Sequence, residues 1–334
     1  MNVSMWAKAL RTIPRITKDE WNGLDIISRW LIASRAGVLI ITFISAGVAG
    51  LLAFRDGKFN LGVWLVMALG LLLAHATNNL LNDVTDYVKG VDRDNYFRAQ
   101  YGPHTLEHGL LTMRQMLTYT AVTGVLALLA GLYLVNLRGL PVLGLLGLGA
   151  FFVLFYTWPL KYIGLGEVAV LIVWGPLMIG GGYYTITGQW DWNVVLAGLP
   201  YAIGATTIIF GKHIDKISDD RGKRIFTLPV LMGERPARYA VVGMMVLQYA
   251  FVAYLVAIGF FTPVMLVVFL ALPALRLAWR VYQQPKPAGP PPEYPSGSWP
   301  LWFVGFAFLH NRRFGLLFLL GLILDVILRS LNVL

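Results

Sequence analysis

Nine apolar stretches, each about as long as a bilayer-spanning helix, dominate this chain of 334 residues. A helix needs about 20 mainly apolar residues to cross the hydrocarbon core of a membrane. The stretches lie at residues 36–54, 61–81, 115–135, 140–158, 165–186, 194–211, 238–259, 262–279 and 314–332. Only 13% of the residues are charged, against about 25% in an average soluble domain. The sequence therefore excludes a soluble fold and predicts one all-α, polytopic membrane domain of nine helices over residues 1–334.

The basic residues lie mainly in loops on one side of the predicted membrane. The 27 Lys and Arg against 17 Asp and Glu give a net charge of +10, which in a soluble protein would suggest a nucleic-acid partner. With the N-terminus inside, only Arg55, Lys58, Arg138 and Arg329 fall on the outer side, as the positive-inside rule requires. We predict a plasma-membrane protein with a cytoplasmic N-terminus, an external C-terminus and no nucleic-acid partner. The sequence indicates no obligate protein partner.

Two segments outside the apolar stretches have a composition of their own, one before the first stretch and one between the eighth and the ninth. Within residues 1–35, Thr17 and Glu20 have the spacing of a capping box, and apolar residues recur after them at helical spacing. This pattern predicts an interfacial amphipathic helix. Residues 283–300 are rich in Pro and Gly and predict a linker between the eighth and ninth spans, in preference to a ligand for a Pro-binding module.

The first of two acidic clusters follows the second apolar stretch. In NNLLNDVTDYVKGVDRD, Asn79, Asn82, Asp83 and Asp86 stand at helical spacings, and Asp92 follows a turn that contains Gly90. Carboxylates at the edge of a bilayer are energetically expensive and are usually functional.

The second cluster, KHIDKISDDRGKR, follows the sixth stretch on the same predicted side. Asp215 and Asp219 are four residues apart and are expected on one helix face, with Arg221 and Lys223 just after them. Acidic residues at a helix C-terminus oppose the macrodipole, and like charges at this spacing repel. A divalent cation would remove both penalties, and Mg²⁺ bound by a few carboxylates keeps positions for phosphate oxygens. We favour a metal–diphosphate site over solvated loop charges or a cation-transport pathway.

These residues carry a resemblance to a known family. The string N-x2-N-D-x2-D-x5-D, followed about 130 residues later by D-x3-D-x3-K, resembles the paired aspartate motifs of the UbiA superfamily of intramembrane prenyltransferases. The phrases YGPHTLEHGLLT, GLGEVAV and DDRGKRIFTLPVLMG are similar to the 1,4-dihydroxy-2-naphthoate prenyltransferases of menaquinone synthesis. The segment from His104 to His108 departs from the usual arginine and glutamine-containing turn, and the segment from Lys223 to Thr227 is about two residues longer than usual.

The resemblance implies a helical bundle with a cap over an active site at the cytoplasmic face. It implies Mg²⁺-dependent transfer of a prenyl group from a polyprenyl diphosphate to an aromatic acceptor, with the lipid bilayer around the prenyl tail. The implied metal ligands are Asp83, Asp86, Asp92, Asp215 and Asp219. The implied diphosphate-binding residues are Asn79, Asn82, Lys161, Arg221 and Lys223. The implied catalytic residues are Asp83, Asp86, Lys161, Asp215 and Asp219. Candidates on the acceptor side are His104, Glu107, His108, Tyr156 and Glu167.

Other functions remain open at this stage. The acceptor could be a hydroxybenzoate, a glyceryl phosphate lipid or a sugar phosphate, and the same scaffold could carry a terpene cyclase. From another class, a cation-coupled transporter could use paired acidic clusters, although its carboxylates should also occur in the middle of spans.

Overall fold

The computed structural model describes residues 2–91, 103–294 and 299–331. Within these ranges the regular structure is helical, without strands. The chain divides into two compact units, Met1–Ile44 with Leu65–Trp158 and Ser45–Trp64 with Pro159–Leu334. That these two units form a single domain over residues 1–334 remains a prediction from the sequence.

The N-terminal part of the first unit forms short helices, α1 (Val3–Arg11), α2 (Lys18–Asn22) and α3 (Ile26–Ala33). The capping box of Thr17 and Glu20 is present at the start of α2. The predicted amphipathic helix is divided between α2 and α3, because the Asp25 side chain caps a new helix by accepting from the Ser28 N–H. Trp21 is fully buried in the apolar cluster that joins these helices.

Longer helices follow, namely α4 (Ile40–Arg55), α5 (Leu61–Val88), α6 (Met113–Arg138) and α7 (Leu140–Phe155). The first unit contains the first residues of α4, most of α5, and all of α6 and α7. Thr112 and Gln115 form a capping box at the start of α6. Gly139 has a φ of +75° between α6 and α7, a backbone conformation that glycine adopts without steric cost. These two helices pack against each other.

The second unit is built around α10 (Trp192–Asp215). Before it come α8 (Gly166–Ile172), a π-helical segment (Val173–Gly181) and α9 (Gly182–Thr187). After it come α11 (Ile217–Gly222), α12 (Leu228–Met232), α13 (Glu234–Ala257), a 3₁₀ segment (Pro263–Ala271), α14 (Leu272–Gln283) and α15 (Phe303–Ser330). Because α10 packs against α8, the π-helical segment, α13 and α15, most of its side chains are buried.

Seven helices in the described part of the chain are long and apolar enough to cross a membrane. They are Ala36–Arg55, Leu61–Val88, Met113–Arg138, Gly166–Thr187, Trp192–Asp215, Glu234–Ala257 and Pro263–Gln283. Of the two remaining predicted spans, the first corresponds to the shorter helix α7 of 16 residues, and the second lies mostly in α15, which also carries several charged side chains. The all-α membrane fold is confirmed, and the count of nine spans is not.

Candidate active site

The first acidic motif lies on the last turns of α5, which continues as a helix through Val88. Asn79, Asp83 and Asp86 are buried, with 8%, 1% and 5% of their surface exposed, and Asn82 is half-buried. Their spacings of three and four residues bring them to neighbouring positions at the helix end. Asp92, the last carboxylate of this motif, lies outside the described residues.

Arg35 is an additional residue at this motif. Its guanidinium Nη2 lies 3.1 Å from Asp83 Oδ1 and donates to the Asn79 carbonyl at 3.0 Å and to Asn82 Oδ1 at 3.4 Å. Its φ of +55° is uncommon for a residue with a side chain. From the sequence, Arg35 counts only as a basic residue on the cytoplasmic side, since nothing in its local pattern links it to residues more than 40 positions later. The positive charge compensates the burial of Asp83.

The two asparagines of the motif hold α5 to neighbouring segments of the first unit. Asn79 Nδ2 donates to the Ser34 carbonyl at 2.9 Å, and Asn82 Nδ2 donates to Thr157 Oγ1 at 3.0 Å. Tyr156, beside Thr157, is half-buried. The Asn amides therefore position the carboxylates of α5, in addition to any contact with a substrate.

The segment of His104, Glu107 and His108 forms a turn. His104 is buried, and its Nδ1 accepts from the Glu107 N–H at 3.2 Å, while its carbonyl accepts from the His108 N–H at 2.9 Å. Glu107 and His108 are exposed. The structure thus gives His104 a local structural contact and leaves Glu107 and His108 accessible.

The second acidic motif is divided between two helices of the second unit. Asp215 is the last residue of α10, and Asp219 lies on α11, because Lys216 between them leaves the helical conformation with φ −114° and ψ 11°. The expectation that both carboxylates share one continuous helix face was wrong for this reason. Asp215 is buried, whereas Asp219 is exposed, and Asp220 is buried in an ion pair with Lys216 at 3.2 Å.

The predicted basic residues of the second unit differ in exposure. Arg221 and Lys223 are exposed at the end of α11, whereas Lys161 is half-buried in a 3₁₀ turn, Leu160–Ile163. The turn is tied to the segment after α11, because the Phe226 N–H donates to the Tyr162 carbonyl at 3.3 Å. Cationic side chains of this kind suit a phosphate group.

Glu167 and His213 form a buried pair that the sequence did not reveal. Glu167 Oε1 lies 2.6 Å from His213 Nδ1, and Glu167 Oε2 accepts from the Leu228 N–H at 3.3 Å. Both side chains are almost fully buried. The pair connects α8, α10 and α12, so Glu167 lies inside the second unit. Only the folded chain brings these residues together, since 46 positions separate them.

The donor chemistry of the motifs suits Mg²⁺, which prefers carboxylate oxygens. Over residues 2–91, 103–294 and 299–331, the structure contains no group of three or more His, Asp or Glu side chains placed to hold a metal ion. Asp83 is ion-paired with Arg35, while the carboxylate of Asp219 makes no hydrogen bond or ion pair within these ranges.

Residues 40–294, most of the chain, match the UbiA prenyltransferase family. The chain belongs to this family. It is 30% identical over 220 residues to the 1,4-dihydroxy-2-naphthoate octaprenyltransferase of Escherichia coli, a match that covers 63% of this chain and 70% of that protein. The corresponding enzyme of Bacillus subtilis is 26% identical, with 72% of this chain and 77% of that protein covered.

A homologue of UbiA prenyltransferase domain-containing protein 1 from Drosophila melanogaster is 25% identical over 66% of this chain, and the match spans 62% of that protein's length. Among solved structures, an apo UbiA homologue from Aeropyrum pernix has a TM-score of 0.63 at 18% identity, covering 85% of this chain and 97% of that one. A UbiA homologue from Archaeoglobus fulgidus bound to DMAPP and Mg²⁺ has a TM-score of 0.52 at 17% identity, and the match covers 86% of this chain and 98% of that one. At such low identity these two similarities support the fold. Together with the apolar helices, family membership makes this an integral membrane protein.

Proposed function

We propose that this protein transfers a prenyl group from a polyprenyl diphosphate to an aromatic acceptor in a Mg²⁺-dependent reaction. The observation that carries the proposal is the buried pair of carboxylates, Asp83 and Asp86, at the end of an apolar helix in a member of the UbiA family. Mg²⁺ is the cofactor that suits such carboxylates when the substrate brings a diphosphate. The Archaeoglobus homologue, bound to DMAPP and Mg²⁺, supports the same choice of donor and metal.

Asp83, Asp86 and Asp219 are the proposed Mg²⁺ ligands among the described residues, whereas the carboxylate of Asp215, also predicted as a ligand, already accepts from the first turn of α15. A bound Mg²⁺ would act as a Lewis acid that neutralises the charge developing on the diphosphate. Asp92 stays a prediction from the sequence. The Asn79 and Asn82 side chains orient the carboxylates of α5 through their contacts with neighbouring backbone and side-chain oxygens.

Lys161, Arg221 and Lys223 are the proposed cationic partners of the leaving diphosphate. Each carries a positive charge that stabilises the anion released when the carbon–oxygen bond breaks. Lys161 is the most constrained of the three, because it lies in the 3₁₀ turn that contacts the segment after α11.

The proposed acceptor is 1,4-dihydroxy-2-naphthoate, as in menaquinone biosynthesis. This choice rests on the names of the relatives from Escherichia coli and Bacillus subtilis and on the sequence phrases that resemble those enzymes. On the acceptor side, the exposed Glu107 and His108 and the half-buried Tyr156 are the accessible candidates. His104 and Glu167 stay proposed acceptor-side residues, and each makes its contacts inside its own unit.

The proposed location is the plasma membrane, with the N-terminus and the active site on the cytoplasmic side and the C-terminus outside. The distribution of basic residues in the sequence supports this orientation. Fusion of a reporter that is active only in the cytoplasm to each terminus tests it, and a signal from the C-terminal fusion would contradict the orientation.

The reaction is tested by incubating purified protein with prenyl diphosphates of several lengths and a panel of acceptors, including naphthoate, hydroxybenzoate, glyceryl phosphate and sugar phosphate. Products are identified by mass, and released diphosphate is measured in parallel. We expect a prenylated naphthoate as the main product. Conjugation to a different acceptor would correct the substrate alone, diphosphate release without a conjugate would indicate a cyclase, and no release from any donor would contradict prenyl transfer.

A further inference from the structure

Both carboxylate oxygens of Asp215 are bound by the start of the last helix. The Phe303 N–H donates to Asp215 Oδ1 at 3.0 Å, and the Val304 N–H donates to Oδ2 at 3.0 Å. These are N–H groups of the first turn of α15, which have no acceptor within the helix. An anion at this position is favoured by the hydrogen bonds and by the helix dipole.

Lys286, in the Pro-rich linker, supplies the opposite charge. Its ammonium lies 3.5 Å from Asp215 Oδ1 and donates to the Pro300 carbonyl at 2.6 Å. The same ammonium lies 5.1 Å from the centre of the Trp299 ring, within the range of a cation–π interaction. Lys286 therefore attaches the described part of the linker between α14 and α15 to Asp215.

The packing around Asp215 also brings α10, the end of α14 and the start of α15 together. A side chain at Gly211, one turn earlier on α10, would lie 2.9 Å from the Val304 Cα, so glycine allows α15 to approach this closely. The Tyr282 hydroxyl, at the end of α14, donates to the Phe303 carbonyl at 2.8 Å. Burial raises the pKa of the Tyr294 phenol in the linker, and the charge of Asp215 raises this pKa further.

Asp219 is exposed to solvent, whereas Asp215 is buried, although the two aspartates occupy equivalent places in the sequence motif. The side chain of Asp219 makes no hydrogen bond or ion pair within the described ranges. Asp219 can accept a metal ion without breaking a contact. At Asp215, a metal ion would have to bind a carboxylate that already accepts from two backbone N–H groups and lies 3.5 Å from the Lys286 ammonium, whose positive charge repels a cation.

We propose that Asp215 is the anchor of α15 and of the Pro-rich linker and is not a metal ligand in this chain. The second motif then supplies its metal contact through Asp219, a part of the inference that rests on the proposed function. The anchoring role itself rests on the contacts of Asp215 with Phe303, Val304 and Lys286.

Amide hydrogen exchange in the full-length protein in detergent tests the anchor. We expect exchange at Phe303 and Val304 to rise about ten-fold or more in Asp215→Asn and to stay as in the wild type in the matched variant Asp219→Asn. Unchanged protection in Asp215→Asn would overturn the proposal. If Asp215→Asn does not fold, Lys286→Gln takes its place, with faster exchange expected over residues 299–304 and unchanged exchange contradicting the anchor.

Mn²⁺ with inorganic diphosphate, followed by electron paramagnetic resonance, tests the metal set. We expect Asp215→Asn to retain Mn²⁺ affinity within about two-fold. Asp219→Asn should lose about ten-fold or more, because a change even to a group that only supports a metal ligand typically costs about 10- to 100-fold in affinity. Loss of Mn²⁺ affinity in Asp215→Asn, with protection of Phe303 and Val304 intact, would overturn the inference. Absence of Mn²⁺ binding by the wild type would count against the proposed function, whereas the exchange measurement decides the anchor.

Discussion

The Arg35 guanidinium lies 3.1 Å from the Asp83 carboxylate, and this ion pair links the segment before α4 to the acidic motif on α5. Asp83 is almost completely buried, so it needs a positive partner in the absence of a metal ion. The same guanidinium contacts the Asn79 carbonyl and the Asn82 side chain. Arg35 therefore holds three of the four motif residues of α5 in the described structure.

Replacement of Arg35 by alanine should destabilise the protein. Loss of one partner of a buried ion pair typically costs about 3–5 kcal/mol, because the remaining charge is left uncompensated. We expect Arg35→Ala to lower the unfolding temperature in metal-free buffer, and Mg²⁺ with inorganic diphosphate to restore part of the loss. Arg11→Ala, at an exposed position in α1, is the control. Equal unfolding temperatures for the two variants would contradict the role of Arg35.

The pair of Glu167 and His213 should contribute to stability through its contacts among three helices. In Glu167→Ala, the His213 ring and the Leu228 N–H both lose their hydrogen-bond partner. Since each unsatisfied buried group costs about 1–3 kcal/mol, we expect the free energy of unfolding to fall by about 2 kcal/mol or more. Glu167→Gln keeps a hydrogen-bonding side chain and should lose less. Denaturant unfolding measures both, with the exposed Glu293→Ala as the control. If Glu167→Ala were as stable as the control variant, the pair would not hold these helices.

The N-terminal helices should become less stable in acid because of Asp25. The backbone N–H of Ser28 is the main cause that lowers the pKa of Asp25, and the Asn2 N–H and the Trp6 indole also donate to it. A carboxylate with a lowered pKa in the folded state stabilises the protein fully above its unfolded pKa, about 3.9, and progressively less as the pH falls below it.

We therefore expect the stability difference between the wild type and Asp25→Asn to be largest near neutral pH and to shrink below about pH 4. Unfolding curves recorded at several pH values measure this difference. Asp19→Asn is the control, since its carboxylate makes no hydrogen bond within the described ranges. A difference that stays constant with pH would show that the charge of Asp25 is not what ties α1 to α3.

The sequence was sufficient for the features that depend on local pattern. Apolar length predicted most of the membrane helices. The spacing of Asn79, Asn82, Asp83 and Asp86 predicted that these residues are neighbours on one helix, because periodicity determines which residues are neighbours along one element. The capping box of Thr17 and Glu20 was found for the same reason.

The contacts between distant segments were not accessible in this way. Arg35 and Asp83, Glu167 and His213, and Asp215 and Phe303 are each separated by more than 40 residues, and no local pattern encodes such pairs. The break at Lys216 was also missed, since a Lys–Ile–Ser sequence is compatible with a continuing helix. The contacts of Asp215 with Phe303 and Val304 are what distinguish it from Asp219.

Diphosphate release by Asp86→Asn tests most directly the proposal that the buried carboxylates of α5 support Mg²⁺-dependent prenyl transfer. The wild type, Asp86→Asn and the control Asp19→Asn are assayed with a prenyl diphosphate and 1,4-dihydroxy-2-naphthoate, before and after EDTA and with Mg²⁺ restored. We expect release and conjugate formation by the wild type and the control only, lost with EDTA and recovered with Mg²⁺, while Asp86→Asn falls by about 100-fold or more. Turnover by folded Asp86→Asn at the wild-type rate, or turnover by the wild type that EDTA leaves unchanged, would contradict the claim.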